Sequence, residues 1–314
     1  MGVSMKRARF AVETALVKTL SAAIVPLSMA AARRCGAALG RIVHAVDAFH
    51  RDIARENLAR AFPSRTAAER RAVTRDMFAH FGSLLFELLK VGRLSQAELL
   101  RLIEFEGDER VAHAYAQGKG VLFFTGHFGY WEIQAIAQPI VAYPVSVLAR
   151  PLDNPSLHEW LERIRTSTGN TVIYRQGAIR KVLRDLAVNR GVAILIDQHL
   201  HSPDVVYVDY FGRPAATTSA LAALALRTGA PVVPVFALPL PGGRYRFVYE
   251  HPVDPPSSET ADAVTQFTQR CTDVLEMYVR RHPELWLWMH RRWRAPEPAL
   301  AGDQLQLDDD ALDA

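Results

Sequence analysis

The sequence predicts an α/β fold: a mostly parallel central sheet flanked by helices, preceded by an N-terminal helical, membrane-associated segment. Three observations lead there. From Val121 onward, short apolar runs (VLFFT, VSVLA, TVIY, GVAILID, VVPVFALP and YRFVYE) alternate with helical stretches, the pattern of strands joined through helices. Between Ala45 and Leu102, apolar residues recur at spacings of three and four. The first third of the chain also carries an apolar stretch flanked by arginines.

In chain order, Phe10 to Ala32 is apolar but interrupted by Glu13, Lys18 and Pro26. Its uncharged part is shorter than the roughly 20 apolar residues that a spanning helix needs. Arginines on both sides leave its direction undefined, and the interruptions do not suit a signal peptide. The expectation is a helix lying in the membrane interface, with packing on the body as the rival reading. Two helices follow, separated by Pro63 and Ser64, and a long amphipathic helix is expected over Glu259 to Arg280, stopped by Pro283. With no internal repeat or low-complexity linker, the division reads as 1–44 interfacial anchor, 45–298 one catalytic domain, and 299–314 an acidic, disordered tail.

Composition supports that outline. A chain of 314 residues with 49% hydrophobic side chains can bury one large core plus a helical extension. Cys35 and Cys271 stand far apart, with no CxxC or Cys/His cluster, so they offer neither a disulfide framework nor a zinc site. The net charge of +4 includes an acidic tail (Asp303, Asp308, Asp309, Asp310, Asp313), so the rest of the chain is more basic than the total. Such a surface suits an anionic membrane or an acidic protein. No helix-turn-helix, zinc-finger or RNA-binding signature appears, and nucleic acid is not expected as a partner.

The stretch VLFFTGHFGYWEIQ (Val121 to Gln134) carries the chemistry. His127 and Glu132 would be rotated by roughly 140° on one continuous helix, but they can meet across a strand-to-helix turn that Gly126 and Gly129 make possible. A carboxylate in a first helical turn stays ionised beside the helix dipole and can hold an imidazole in the tautomer that accepts a proton. An isolated H-x4-E also arises from two residues placed for unrelated local reasons, so the motif acquires weight only from its surroundings.

Those surroundings are specific. The blocks FFTGHFGYWE, RPLDNP (Arg150 to Pro155), RIRTSTGN (Arg163 to Asn170), AILIDQ (Ala193 to Gln198), DYFGRPAATTSALAALALRTGAPVVPVF (Asp209 to Phe236) and ELWLWMHRRWR (Glu284 to Arg294) occur in order, after an upstream ENLARAFP. Together they resemble the late acyltransferases of lipid A biosynthesis, the lauroyl and myristoyl transferase family within the H-x4-D/E glycerolipid acyltransferase superfamily. The resemblance runs from about Ala45 to Arg294.

It implies an O-acyltransferase with His127 as general base and Glu132 as the group that orients it, using neither cofactor nor metal. The implied partners are an acyl carrier protein thioester as donor, a lipid A precursor or related glycolipid as acceptor, and the cytoplasmic face of a bacterial inner membrane. Arg150, Arg163 and Arg165 match arginines of the family blocks and suit phosphate or acidic sugars, or equally a solvated helix face. Asp197 and Gln198 end a strand, where α/β sheets place binding residues. Phe211, Gly212, Arg213, Thr217 and Thr218 match a second substrate-contact element, although the threonines also suit the cap of the helix SALAALAL.

Arg175, Arg180, Lys181, Arg184 and Arg190 read as surface or carrier-docking cations. The oxyanion donors are left open between backbone N–H groups of the glycine-flanked turn and an arginine. Trp286, Trp288 and Trp293 stand beside Arg291, Arg292 and Arg294, where the Trp pair is expected in the core and the arginines near the site mouth. Asp197, His199 and His201 of DQHLH also raise a rival metal-hydrolase reading, which lacks ligand spacing for its third histidine.

Overall fold

A computed structural model describes residues 3–141, 143–174, 177–200, 205–257 and 260–294. The helical start comprises α1 (Val3–Ile24), α2 (Met29–Val46), α3 (Ala48–Ala61), α4 (Ala67–Val91) and the short α5 (Gln96–Leu100). The stretch read as one interfacial helix therefore breaks around Pro26, which cannot donate the backbone hydrogen bond that continuation requires. Ser28 restarts the chain by accepting from the Ala31 N–H as the cap of α2. Thr66 and Glu69 form a reciprocal capping box that starts α4 after Pro63 and Ser64.

Small residues let α2 lie directly on α4. A Cβ added to Gly40 would stand 2.0 Å from the Phe78 carbonyl oxygen, and one on Gly82 would stand 2.2 Å from that of Gly36. Thus α2 packs into the helical layer of the body, while α1 keeps most of its surface open.

Beyond α5 the chain alternates: β1 (Ile103–Glu106), α6 (Asp108–Ala116), β2 (Val121–Thr125), α7 (Trp131–Val141), β3 (Val145–Leu148), α8 (Pro155–Thr166), β4 (Thr171–Ile173), α9 (Ala178–Ala187) and β5 (Gly191–Leu195). The hairpin β6 (Val205–Asp209) and β7 (Pro214–Thr218) follows, then α10 (Ala220–Thr228), β8 (Val232–Leu240), β9 (Arg244–Tyr249) and α11 (Ala263–Arg281). Seven strands form one sheet in the order β1-β9-β8-β2-β5-β3-β4, and β6 and β7 pair separately. Every neighbour in the large sheet is parallel except β8 with β9. The mostly parallel sheet flanked by helices is therefore observed, with β1 and β9 running against the other five strands.

All five residues of β2 are buried, as befits a central strand covered on both faces. One element was not expected and one boundary shifts. The stretch from Asp209 turns as a β-hairpin before its helix, and α11 begins at Ala263, where the Asp262 carboxylate accepts from the Thr265 N–H. Glu259 and the acidic tail 299–314 lie outside the described residues.

Candidate active site

The register of the sheet builds the site. Thr125 of β2 pairs with Leu195 of β5 in parallel, and the Ile196 N–H donates to the Thr125 carbonyl to extend the ladder. Two residues beyond each strand stand His127 and Asp197, so they emerge side by side at the carboxyl edge. His127 Nδ1 lies 2.8 Å from Asp197 Oδ1, and the His127 backbone N–H donates to Asp197 Oδ2 at 2.6 Å. The Trp286 indole N–H donates to that same oxygen at 2.8 Å.

The loop after β2 is pinned on both sides. Leu287 N donates to the His127 carbonyl and Gly129 N donates to that of Leu285, stitching the C-terminal segment onto it. Gly129 has φ +60°, and a Cβ there would stand 2.0 Å from the Ala237 carbonyl oxygen. At Gly126 an added Cβ would meet Asp197 Oδ2 at 2.8 Å, so the carboxylate approaches this close because the position is glycine.

The expected partnership of His127 with Glu132 needs correction. Glu132, in the first turn of α7, faces α8 and receives a bidentate pair of hydrogen bonds from Arg165, the Nε one at 2.9 Å and the other from Nη2. Glu132 is the second residue of α7, and its bonds go to Arg165 and not to the imidazole's Nδ1. The buried Asp197, expected as a substrate contact or, in the rival reading, a metal ligand, bonds Nδ1 instead. Electrostatics follow the geometry. Burial lowers the imidazole's affinity for a proton, but the charge and hydrogen bond of Asp197, assisted by Glu132, outweigh it and leave His127 raised. Burial would raise Asp197, but His127 and the Trp286 indole hold it well below the usual carboxylate range.

His127 retains 18% side-chain exposure against 3% for Asp197. Its Nε2 lies 3.3 Å from Nε2 of the exposed Gln198, and its ring meets Trp131 edge-on at 5.3 Å between centroids. With Nδ1–H donated to Asp197, Nε2 keeps a lone pair facing the Gln198 amide. Three backbone donors of the turn are committed: His127 N to Asp197, Gly129 N to Leu285, and Tyr130 N to Ala237.

The other expected site residues disperse. Arg150 is exposed and stands 3.8 Å from Asp153. Arg163 is exposed, whereas Arg165, two residues on and so on the opposite side of α8, turns inward to Glu132. Phe211 is core, packed against Phe62 and Trp288, and Gly212 and Arg213 form the exposed hairpin turn. Thr217 is fully buried with its hydroxyl 2.5 Å from Arg292 Nη2, and the Thr218 hydroxyl accepts from Ala220 N at the start of α10.

Trp286 and Trp288 are buried as expected, but Arg292, expected near the mouth, is only 1% exposed because the Ala216 carbonyl and Thr217 hydroxyl receive its guanidinium. Sequence reasoning left His290 aside. Its Nε2 accepts from the His199 N–H at 2.9 Å and fixes the segment after Gln198; no spacing signal marks it. Among the described residues no three His, Cys, Asp or Glu side chains cluster to hold a metal ion, and His201 lies outside them.

The family model described as "Bacterial lipid A biosynthesis acyltransferase" matches residues 6–295. The chain belongs to this family. Among its relatives, the lipid A biosynthesis acyltransferase of Haemophilus influenzae is 27% identical over 240 residues, covering 75% of this chain and 73% of the relative. The lipid A biosynthesis lauroyltransferase of Escherichia coli is 26% identical over 273 residues, covering 86% and 88% respectively. The phosphatidylinositol mannoside acyltransferase of Mycobacterium tuberculosis is 25% identical over 246 residues, covering 77% and 76%.

Proposed function

We propose that this acyltransferase moves a fatty acyl chain from an acyl carrier protein thioester to a hydroxyl of a lipid A precursor, at the cytoplasmic face of a bacterial inner membrane. The observation that carries the reading is the His127–Asp197 pair, with Nδ1 held and Nε2 turned toward the partly open side. His127 Nε2 takes the proton of the acceptor hydroxyl as that oxygen attacks the thioester carbonyl. The tetrahedral intermediate collapses with loss of the thiolate, which recovers the proton from the imidazolium. Asp197 orients the ring and stabilises its charged form. The Gln198 amide, 3.3 Å from His127 Nε2, has a second N–H that can meet the oxyanion beside the base. No acyl-enzyme is required.

The exposed Ile179, Arg180, Lys181 and Arg184 on α9 offer a basic face with an apolar residue to an acidic carrier protein. Membrane association is assigned to α1, whose outward face carries Met5, Val12 and Leu16 at 63%, 68% and 67% exposure. No helix among the described residues is long and apolar enough to cross a membrane, so α1 lies on the surface in this reading. A second reading keeps the chemistry and changes the acceptor to another envelope glycolipid or a lysophospholipid. The relative named for phosphatidylinositol mannoside supports it.

Purified protein incubated with labelled acyl carrier protein thioester and a panel of acceptors, beside His127→Ala, separates these readings. Acylation of a Kdo-bearing lipid A precursor, lost in the variant, supports the first. Transfer only to a lysolipid or another glycolipid supports the second. Full transfer by His127→Ala removes the base from its role.

A further inference from the structure

Outside the His127 cluster, a groove of about 430 Å³ lies between α1 and the first turn of α8. From α1 it is lined by Arg7, Thr14 and Lys18, and from α8 by Asn154 and Ser156. Arg7 and Lys18 are eleven residues apart, close to three helical turns, so they share one face and close the groove from its two ends, about 16 Å apart along the axis. Asn154 makes the floor. Its Nδ2 donates to the Phe10 carbonyl at 3.0 Å and to Glu13 at 3.1 Å, while its Oδ1 accepts from Ser156 N at 3.1 Å.

The side chains left over are those suited to an anion. Arg7, Lys18 and the Ser156 hydroxyl make no hydrogen bond to another group of the described residues, whereas the nearby carboxylates are engaged. Glu13 pairs with Arg9 at 2.7 Å and Asp153 stands 3.8 Å from Arg150. The groove wall therefore carries two cations and no carboxylate. Its rim is continuous with apolar surface: Ala11 and Ala15 line it and are exposed, beside the outward Val12 and Leu16.

We propose that this groove is a binding site for the headgroup of an anionic phospholipid. The phosphate sits between Arg7, Lys18 and Ser156, and the acyl chains lie along the outer face of α1 that carries Met5, Val12 and Leu16, where Arg9 is paired with Glu13. The proposal rests on the membrane-facing reading of α1 and adds headgroup selectivity to it. Two cations closing on one headgroup distinguish a site from diffuse attraction, and the adjoining apolar face distinguishes a lipid from a free phosphate.

The test is co-sedimentation of the full chain with phosphatidylcholine vesicles, with and without phosphatidylglycerol. Arg7→Gln/Lys18→Gln is compared with a control of equal net charge, Arg71→Gln/Arg93→Gln, and folding is checked by circular dichroism. The account expects a loss of about thirtyfold in partitioning to the anionic vesicles, from roughly 1 kcal/mol per basic side chain, for the groove pair alone. Equal losses in both double variants would show diffuse attraction and overturn the site. Equal binding of the unaltered protein to both vesicle types would overturn the headgroup site while leaving the apolar face of α1 standing. Binding to neither would overturn the membrane-facing reading as well. Inorganic phosphate competing as well as vesicles would reassign the groove to free anions and contradict the lipid proposal.

Discussion

Gly126 leaves the Asp197 carboxylate no space to spare: a single methyl would stand 2.8 Å from Oδ2. Gly126→Ala is therefore expected to displace the carboxylate from the imidazole and lower kcat by about a hundredfold, with KM little changed and stability lower by about 1–3 kcal/mol because the methyl also meets the buried Leu275; steady-state kinetics and calorimetry check this. Arg165 acts through charge. It lowers the proton affinity of His127 whereas Glu132 raises it, so Arg165→Met removes the opposing cation and raises the imidazole further. Because the base must be unprotonated, the acid limb of the pH–rate profile should then move to higher pH, and Glu132→Gln should move it to lower pH. A profile unmoved in both variants would detach this ion pair from the base.

Among the elements, the crossing of α2 and α4 depends on glycines. Gly40→Ala would set a Cβ 2.0 Å from the Phe78 carbonyl oxygen, and the helices must separate to admit it. A loss of about 1–3 kcal/mol, read from the denaturant midpoint, is expected. The strands around the site were legible because β2, β3, β4, β5 and β8 are apolar runs in a parallel sheet. The hairpin β6–β7 was not, because its Gly212 turn resembles a loop before a helix and the alanines of PAATT carry no strand signal. The same limit hid the partner of His127. Its H-x4-E motif is local, whereas Asp197 is seventy residues away and meets it only through the pairing of β2 with β5. A single sequence marks both strand ends but not which strands are neighbours. The arginines of RIRTSTGN were equally ambiguous, since the direction in which α8 buries one face separates the inward Arg165 from the exposed Arg163.

Across the whole molecule, the proposed chemistry requires a base at the sheet edge together with a helical face that can meet the bilayer holding the acceptor. Val12 and Leu16 are both about two-thirds exposed on α1, and nothing in the body depends on them. Val12→Glu/Leu16→Glu should therefore leave unfolding unchanged and weaken vesicle partitioning by about tenfold or more, as expected for losing two buried apolar side chains at an interface. Equal partitioning would move the membrane face elsewhere. The most direct test of the central claim, a His127 base activated by Asp197, is the pH dependence of acyl transfer by Asp197→Asn beside the unaltered protein. The account predicts a rate lower by about 10²–10⁴-fold, with the acid limb shifted to lower pH because the charge that raises the imidazole is gone. An unchanged rate with an unchanged acid limb would contradict it.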